Sequence, residues 1–205
     1  MESPLLSPGD RMGLEEFLDR WRRRPELKFA ELMDGVVYTP SPLSRPHARK
    51  GALLRAWLFH FEQRKGECEV LPNATWRMSR RSAPQPDLAL RKIRGRSRVG
   101  DDNLMSGVPE LAVEICVSSR AYDLGPKLSV YQSAGVPEYL AVILEGQPIE
   151  WRALEKGSYR LLRPHKDGTP RSRVFPGLWL DLAAHRRSDW PAMLATLGRG
   201  LGADD

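Results

Sequence analysis

Cysteine is scarce in this chain: two residues in 205, Cys68 and Cys116, neither with a second Cys or a His at metal-ligand spacing. A structural zinc site and a disulfide framework are therefore not expected, and a reducing cytoplasm is the simplest compartment. No apolar run approaches the ~20 residues that span a bilayer, so no membrane partner is expected. The opening MESPLLSPGD has neither the basic nor the apolar region of a secretory signal. Internal repeats, low-complexity tracts and base-reading motifs of the helix-turn-helix or zinc-finger kind are also missing.

What is present describes a globular protein with one good-sized core: hydrophobic content is 41% and charged content 28%. Positive charge is unevenly spread. Between Arg77 and Arg98 stand eight basic residues (Arg77, Arg80, Arg81, Arg91, Lys92, Arg94, Arg96, Arg98) and one acid, Asp87, so 8 − 1 = +7 against +6 for the whole chain. Such a cluster can neutralise phosphates and release counterions, which makes nucleic acid a natural partner. A solvated loop whose charges only aid solubility is the plainer alternative.

Hydrophobic spacing predicts a short helix over Gly13–Arg24, with Leu14, Phe17, Leu18 and Trp21 on one face, and a hairpin about Asp34-Gly35. A long helix is expected over Ser44–Lys65, ended by Gly66. Strands follow at about Glu67–Leu71, Ala74–Met78, Asp87–Arg91 and Leu111–Val117. Then comes a helix over Tyr122–Gly135 with Asp123 as its N-cap and Leu124, Leu128 and Tyr131 as its apolar stripe. Further strands are expected at Tyr139–Leu144, Ile149–Leu154 and Tyr159–Arg163. SRVFPGLWLDL reads as extended, Trp190–Leu197 as a last helix, and the GADD tail as frayed. This order implies a mixed α/β domain, a central β-sheet flanked by helices. It divides into an N-terminal helical extension (1–25), the main domain (26–185) and a C-terminal helix with its tail (186–205).

One residue is out of place in this pattern. Leu111, Ala112, Val113, Ile115, Cys116 and Val117 make an apolar run suited to a strand buried on both faces, and Glu114 interrupts it. A buried carboxylate costs several kcal/mol unless a cation, a proton or donors compensate it. Asp87 opens the Leu88/Leu90 strand on the opposite face from those leucines. If the two strands are neighbours, Asp87 and Glu114 converge, and two carboxylates so placed call for a cation between them. Magnesium takes carboxylate, carbonyl and water oxygens, with the Ile115 carbonyl as a third ligand. Lys127, about 70° from the apolar stripe of its helix, can extend its ammonium to the same place. Metal and ammonium together suit phosphodiester hydrolysis, where charge builds on a phosphorane-like transition state. Taken singly, Asp87 reads as a turn residue, Asp123 as a cap and Lys127 as a surface lysine.

The segments AELMDGVVYTPSPLSRPHARKGALLRAWL, QPDLAL and VPELAVEICVSSRAYDLGPKLSVYQSAGVPEYL, between about Ala30 and Leu140, resemble the Uma-type restriction-endonuclease family of the PD-(D/E)XK nuclease superfamily. The resemblance implies a restriction-endonuclease-like fold and magnesium, or manganese in its place, held by Asp87 and Glu114. It implies that Lys127 takes the place of the lysine usually found two residues after the glutamate, where this chain has Cys116. It adds Glu31 as an acid lining the pocket, His47 and Asp123 as neighbours of the site, DNA as substrate and a homodimer as the assembly. The chain departs from the family at Cys116-Val117-Ser118-Ser119, in place of a Leu-Ser-Pro-Ser-like loop, and after Tyr139, where Trp and then an acid are usual.

Three functions remain open on the sequence: a metal-dependent endonuclease, a non-catalytic nucleic-acid-binding module in which Lys127 pairs with Glu114, and a protein-interaction module of the same fold. The retention of all three motif positions favours the nuclease.

Overall fold

The computed structural model describes residues 5–40, 42–116, 122–143 and 149–203. Val117, Ser118, Ser119, Leu144 and the last two residues of the tail, all covered by the expectations above, lie outside them.

Helix α1 (Leu14–Arg22) buries Leu14, Phe17 and Leu18, the expected face. They pack on the hairpin of β1 (Glu31–Met33) and β2 (Val36–Tyr38) through Leu32 and Val37. The turn needs left-handed backbone at both central residues, and Asp34 (φ 47°) and Gly35 (φ 79°) supply it. Helix α2 (Arg45–Lys65) follows. The Ser44 hydroxyl accepts from His47 N at its start, Pro46 fits the first turn, and Gly66 at φ 66° ends it.

Strands β3 (Cys68–Pro72), β4 (Trp76–Arg77), β5 (Leu88–Lys92), β6 (Arg98–Val99), β7 (Met105–Ser106) and β8 (Leu111–Cys116) come next. A π-helical turn, Asp123–Lys127, runs directly into α3 (Leu128–Ala134), which Gly135 stops at φ 79°. Strands β9 (Glu138–Ile143), β10 (Glu150–Glu155) and β11 (Ser158–Leu161) and helices α4 (Leu182–Arg187) and α5 (Trp190–Gly202) complete the chain.

The main sheet has the order β11-β10-β9-β8-β5-β3, with β8 and β9 parallel and every other pair antiparallel. Strands β4, β7 and β6 form a small second sheet. This is the α/β architecture the sequence implied. Leu88, Leu90, Leu111, Val113, Ile115, Leu140 and Val142 form the large apolar core with Leu54, Trp57 and Phe61 of α2 and Met193, Leu197 and Leu201 of α5. Ala112, Cys116, Tyr139 and Ala141 point the other way, onto Tyr131 of α3.

Two expectations are corrected. SRVFPGLWLDL makes one isolated bridge, Arg171↔Trp179, and its end leads into α4, capped by Asp181 Oδ1 accepting from Ala184 N at 2.8 Å. Asp123 caps no helix: Tyr122 before it is already helical (φ −75°, ψ −47°), so Asp123 lies inside the turn.

Candidate active site

Strand pairing builds the site. β5 and β8 align with Leu88 opposite Val113, and continuing that register sets Asp87 opposite Glu114. Asp87 Oδ2 accepts from Ile115 N at 2.7 Å, which ties the residue before β5 to the end of β8. Glu114 sits 2% exposed in the middle of the sheet, on the face turned to α3.

The π-helical turn supplies the cation. Its wider bonding pattern accommodates Gly125 and Pro126, and it buries Lys127 instead of leaving it at the surface. Lys127 Nζ lies 3.0 Å from Glu114 Oε1 and 3.1 Å from Glu31 Oε1. Glu31 comes from β1 and is fixed by Gln85 N, which donates to its Oε1 at 2.7 Å. His47, in the first turn of α2, places Nε2 3.3 Å from Asp87 Oδ2. Glu31, His47, Asp87, Glu114, Ile115, Asp123 and Lys127 all line one cleft of about 380 Å³.

Two participants were not foreseen as such. Tyr131 OH donates to Glu114 Oε1 at 2.6 Å, and Tyr122 OH to Glu31 Oε2 at 3.3 Å. Tyr131 follows Lys127 by four residues, one helical turn, so a shared face was the signal available in the sequence. With Oε1 of Glu114 taken by Lys127 and Tyr131, no described residue donates to Oε2.

The charge balance is one-sided. Glu31, Asp87, Glu114 and Asp123 bring four carboxyl groups to one lysine and one histidine. Burial pushes the Glu114 carboxyl well above the usual range; Lys127 opposes this, and Asp87, Asp123 and Glu31 add to it. Burial would lower the Lys127 pKa, but Glu114 and Glu31 outweigh it and hold the ammonium charged. The hydrogen bond to Asp87 raises the His47 pKa against the opposing effect of burial. Cys116 is fully buried, its thiol raised by burial and by nearby carboxylates, Asp123 above all, so it is not a nucleophile.

The arginine cluster is less a patch than its sequence suggests. Arg77 pairs with Asp102, Arg81 with Asp34 and Arg91 with Glu69, while Arg96 donates to Gly135 O. Arg80 and Arg98 are exposed near the small sheet and its approach, while Lys92 ends β5 on the side away from Asp87 and Arg94 lies just past it.

The fold matches a crystal structure described as "a putative nuclease belonging to DUF820" from Anabaena variabilis ATCC 29413, with a TM-score of 0.67 at 11% identity, over 83% of this chain and 97% of that one. No curated protein matches. Among the described residues no helix is long and apolar enough to cross a membrane. The Uma2 family profile, described as "Putative restriction endonuclease", matches residues 14–183, and the chain belongs to that family.

Proposed function

We propose that this protein is a magnesium-dependent endonuclease that hydrolyses DNA phosphodiester bonds. The observation that carries the reading is the convergence of Asp87, Glu114, Glu31 and Lys127 in one cleft from four separate elements. Carboxylates outnumber cations there, and a divalent ion is the simplest way to balance them.

The donor set fits magnesium. Asp87 and Glu114 would hold it, with the Ile115 carbonyl beside them, and all three supply hard oxygen. In a ladder a residue turns its N–H and C=O to the same neighbour, and Ile115 N–H faces Asp87. Among the described residues no group of three or more His, Cys, Asp or Glu side chains stands ready to enclose an ion. Water would complete the shell, as magnesium prefers. Manganese has the same ligand preference and would substitute.

Bound magnesium would supply Lewis acidity at the scissile phosphate. Lys127 does the rest of the electrostatic work: two of its three N–H donors are spent on Glu31 and Glu114, and the third is left for water or a phosphate oxygen. Glu31 and Tyr131 fix the ammonium and the Glu114 carboxylate against rotation. His47, whose pKa the hydrogen bond to Asp87 raises against the opposing effect of burial, holds Asp87 from the first turn of α2. Exposed Arg80 and Arg98 would meet the DNA backbone, and a homodimer would present two such sites to the two strands.

A second reading has one observation in its favour. The Lys127–Glu114 pair at 3.0 Å is also what a metal-free binding module would contain. Plasmid cleavage by purified protein separates the two, run with magnesium, with manganese and with a chelator beside Glu114→Ala. Metal-dependent cutting absent from the variant supports the nuclease. DNA binding without cutting under every condition supports the binding module.

A further inference from the structure

We infer that the protein takes an unpaired DNA strand along a trough through the acidic cleft, with bases stacked on Phe29 and Phe59. The inference rests on the nuclease reading for the metal at the centre of the trough. Its two arms rest on exposed side chains outside the cleft.

Three cavities adjoin at Leu43 and Asp87, which line all of them. The acidic cleft is the middle one. One arm, of about 560 Å³, lies between α2 and β3 and shares His47 and Ile115 with the cleft. The other, of about 450 Å³, lies beside the segment before β1 and shares Glu31 and Lys127 with it. His47 and Phe59 are twelve residues apart on α2, so the first arm extends ~18 Å from the cleft.

Each arm carries one exposed ring and one cation. Phe59 (53% exposed) and Arg55 line the α2 arm, and Phe29 (44% exposed) and Lys28 line the other. Among the described Phe, Tyr and Trp residues these two alone are exposed. Leu43, 64% exposed, stands where the arms meet. Arg55 and Lys28 are also exposed, and neither forms a hydrogen bond or ion pair among the described residues. The further acid of the second arm, Glu26, already pairs with Arg24. The arms therefore add two uncommitted cations to a centre whose carboxyl groups suit a metal ion. A single exposed phenylalanine is ordinary on a protein surface. Two that flank one cleft, each beside an uncommitted cation, call for a ligand with repeated rings and negative charges.

An unpaired strand is that ligand. In a duplex the base faces are covered by stacked neighbours and only the edges reach the grooves, so neither ring would find a partner. An unpaired strand offers a face at every nucleotide, and aromatic stacking beside a cationic backbone track is how such strands are held. Running from one ring to the other, it would lay its backbone across Asp87, Glu114 and Lys127. A peptide or a second copy of the chain would also cover the phenylalanines. It would leave unexplained why both arms lead to the acidic centre.

The test is a titration of labelled oligodeoxythymidine, alone or paired with oligodeoxyadenosine, with the full chain, followed by anisotropy. Calcium, which takes oxygen ligands as magnesium does, neutralises the centre, and cleavage is followed separately with magnesium. The single strand is expected to bind about tenfold more tightly than the duplex. Phe29→Ala and Phe59→Ala, both at exposed side chains, should each weaken single-strand binding about fivefold or more and leave duplex binding unchanged. Phe59→Tyr, which keeps the ring, should retain it. Circular dichroism verifies the fold of each variant. Duplex binding as tight as that of the single strand, or single-strand binding indifferent to both phenylalanines, would overturn the proposal. Magnesium-dependent cutting of the duplex in that case would leave the nuclease reading standing without it. Ring-dependent binding of the single strand with no cutting in magnesium would support the trough and count against the catalytic reading instead. Unchanged strand binding by Phe59→Ala, with self-association lost in sedimentation, would make this face a contact between copies and also overturn the proposal.

Discussion

The two faces of β8 show how one strand serves two purposes. Leu111, Val113 and Ile115 enter an apolar core roofed by α2 and α5. Ala112, Glu114 and Cys116 face α3, where Tyr131, Tyr139 and Tyr159 bring hydroxyl groups and Lys127 brings charge. The first face is closed by packing alone. The second is closed by a polar network that compensates Glu114 only in part, and that partial compensation is what makes it a candidate for chemistry.

Each prediction probes the difference between these faces. Trp57 is fully buried in the apolar core, lies edge to face with Trp151, and donates its indole N–H to Trp179 O at 3.0 Å. Trp57→Ala should cost about 3–5 kcal/mol in denaturant unfolding, the largest stability effect, without removing any group from the acidic cleft.

Lys127→Met should cost about 3 kcal/mol near neutral pH, because it strips Glu31 and Glu114 of their shared cation. Here the sign of the pH dependence is diagnostic. Burial already raises the Glu114 pKa in the folded state, and without the lysine it rises further. The folded variant then binds more protons than the unfolded chain above the ordinary glutamate value of 4.5. Its stability should therefore fall as pH rises from there and recover on acidification. Melting curves across pH verify this, and a stability loss independent of pH would contradict it.

The smallest effect belongs to the apolar side. His185 is buried on α4, with neither ring nitrogen hydrogen-bonded among the described residues, and its pKa is lowered to about 4, chiefly by burial and then by Lys50 and Arg186. Folding therefore excludes a proton that the unfolded chain accepts below pH 6.5. Stability conferred by neutral His185 is complete above that value and is lost as pH falls toward 4. His185→Leu should flatten this part of the pH profile, gaining about 2 kcal/mol at most near pH 5. Unchanged acid sensitivity would show that another group is responsible.

Much of this arrangement was legible in the sequence because its signals were long or chemically costly. Helix α2 announced itself through Leu54, Trp57, Leu58 and Phe61 with Ser44 and Gly66 at its ends, and the β1–β2 turn through Asp34-Gly35. Glu114 stood out because a carboxylate inside an apolar run needs a reason. Strands β6 and β7 have two residues each, too few for any periodicity to show. The π-helical turn was hidden because regular helical spacing was assumed across Gly125 and Pro126, and Asp123 was accordingly given a capping role it does not have. The arginines between Arg77 and Arg98 are neighbours in sequence, but β5 carries Arg91 and Lys92 away from the small sheet, and several meet acids from distant segments.

The central claim is that the acidic cleft takes a divalent cation through Glu114 and Asp87. Calorimetric titration of magnesium into the wild type, Glu114→Gln and Asp87→Asn, repeated in buffers of different ionisation enthalpy, measures this directly. The wild type should bind saturably and release protons, because the raised Glu114 carboxyl must ionise to act as a ligand, and both variants should lose the binding. Absence of saturable binding in the wild type, or binding that survives in both variants, would contradict the claim.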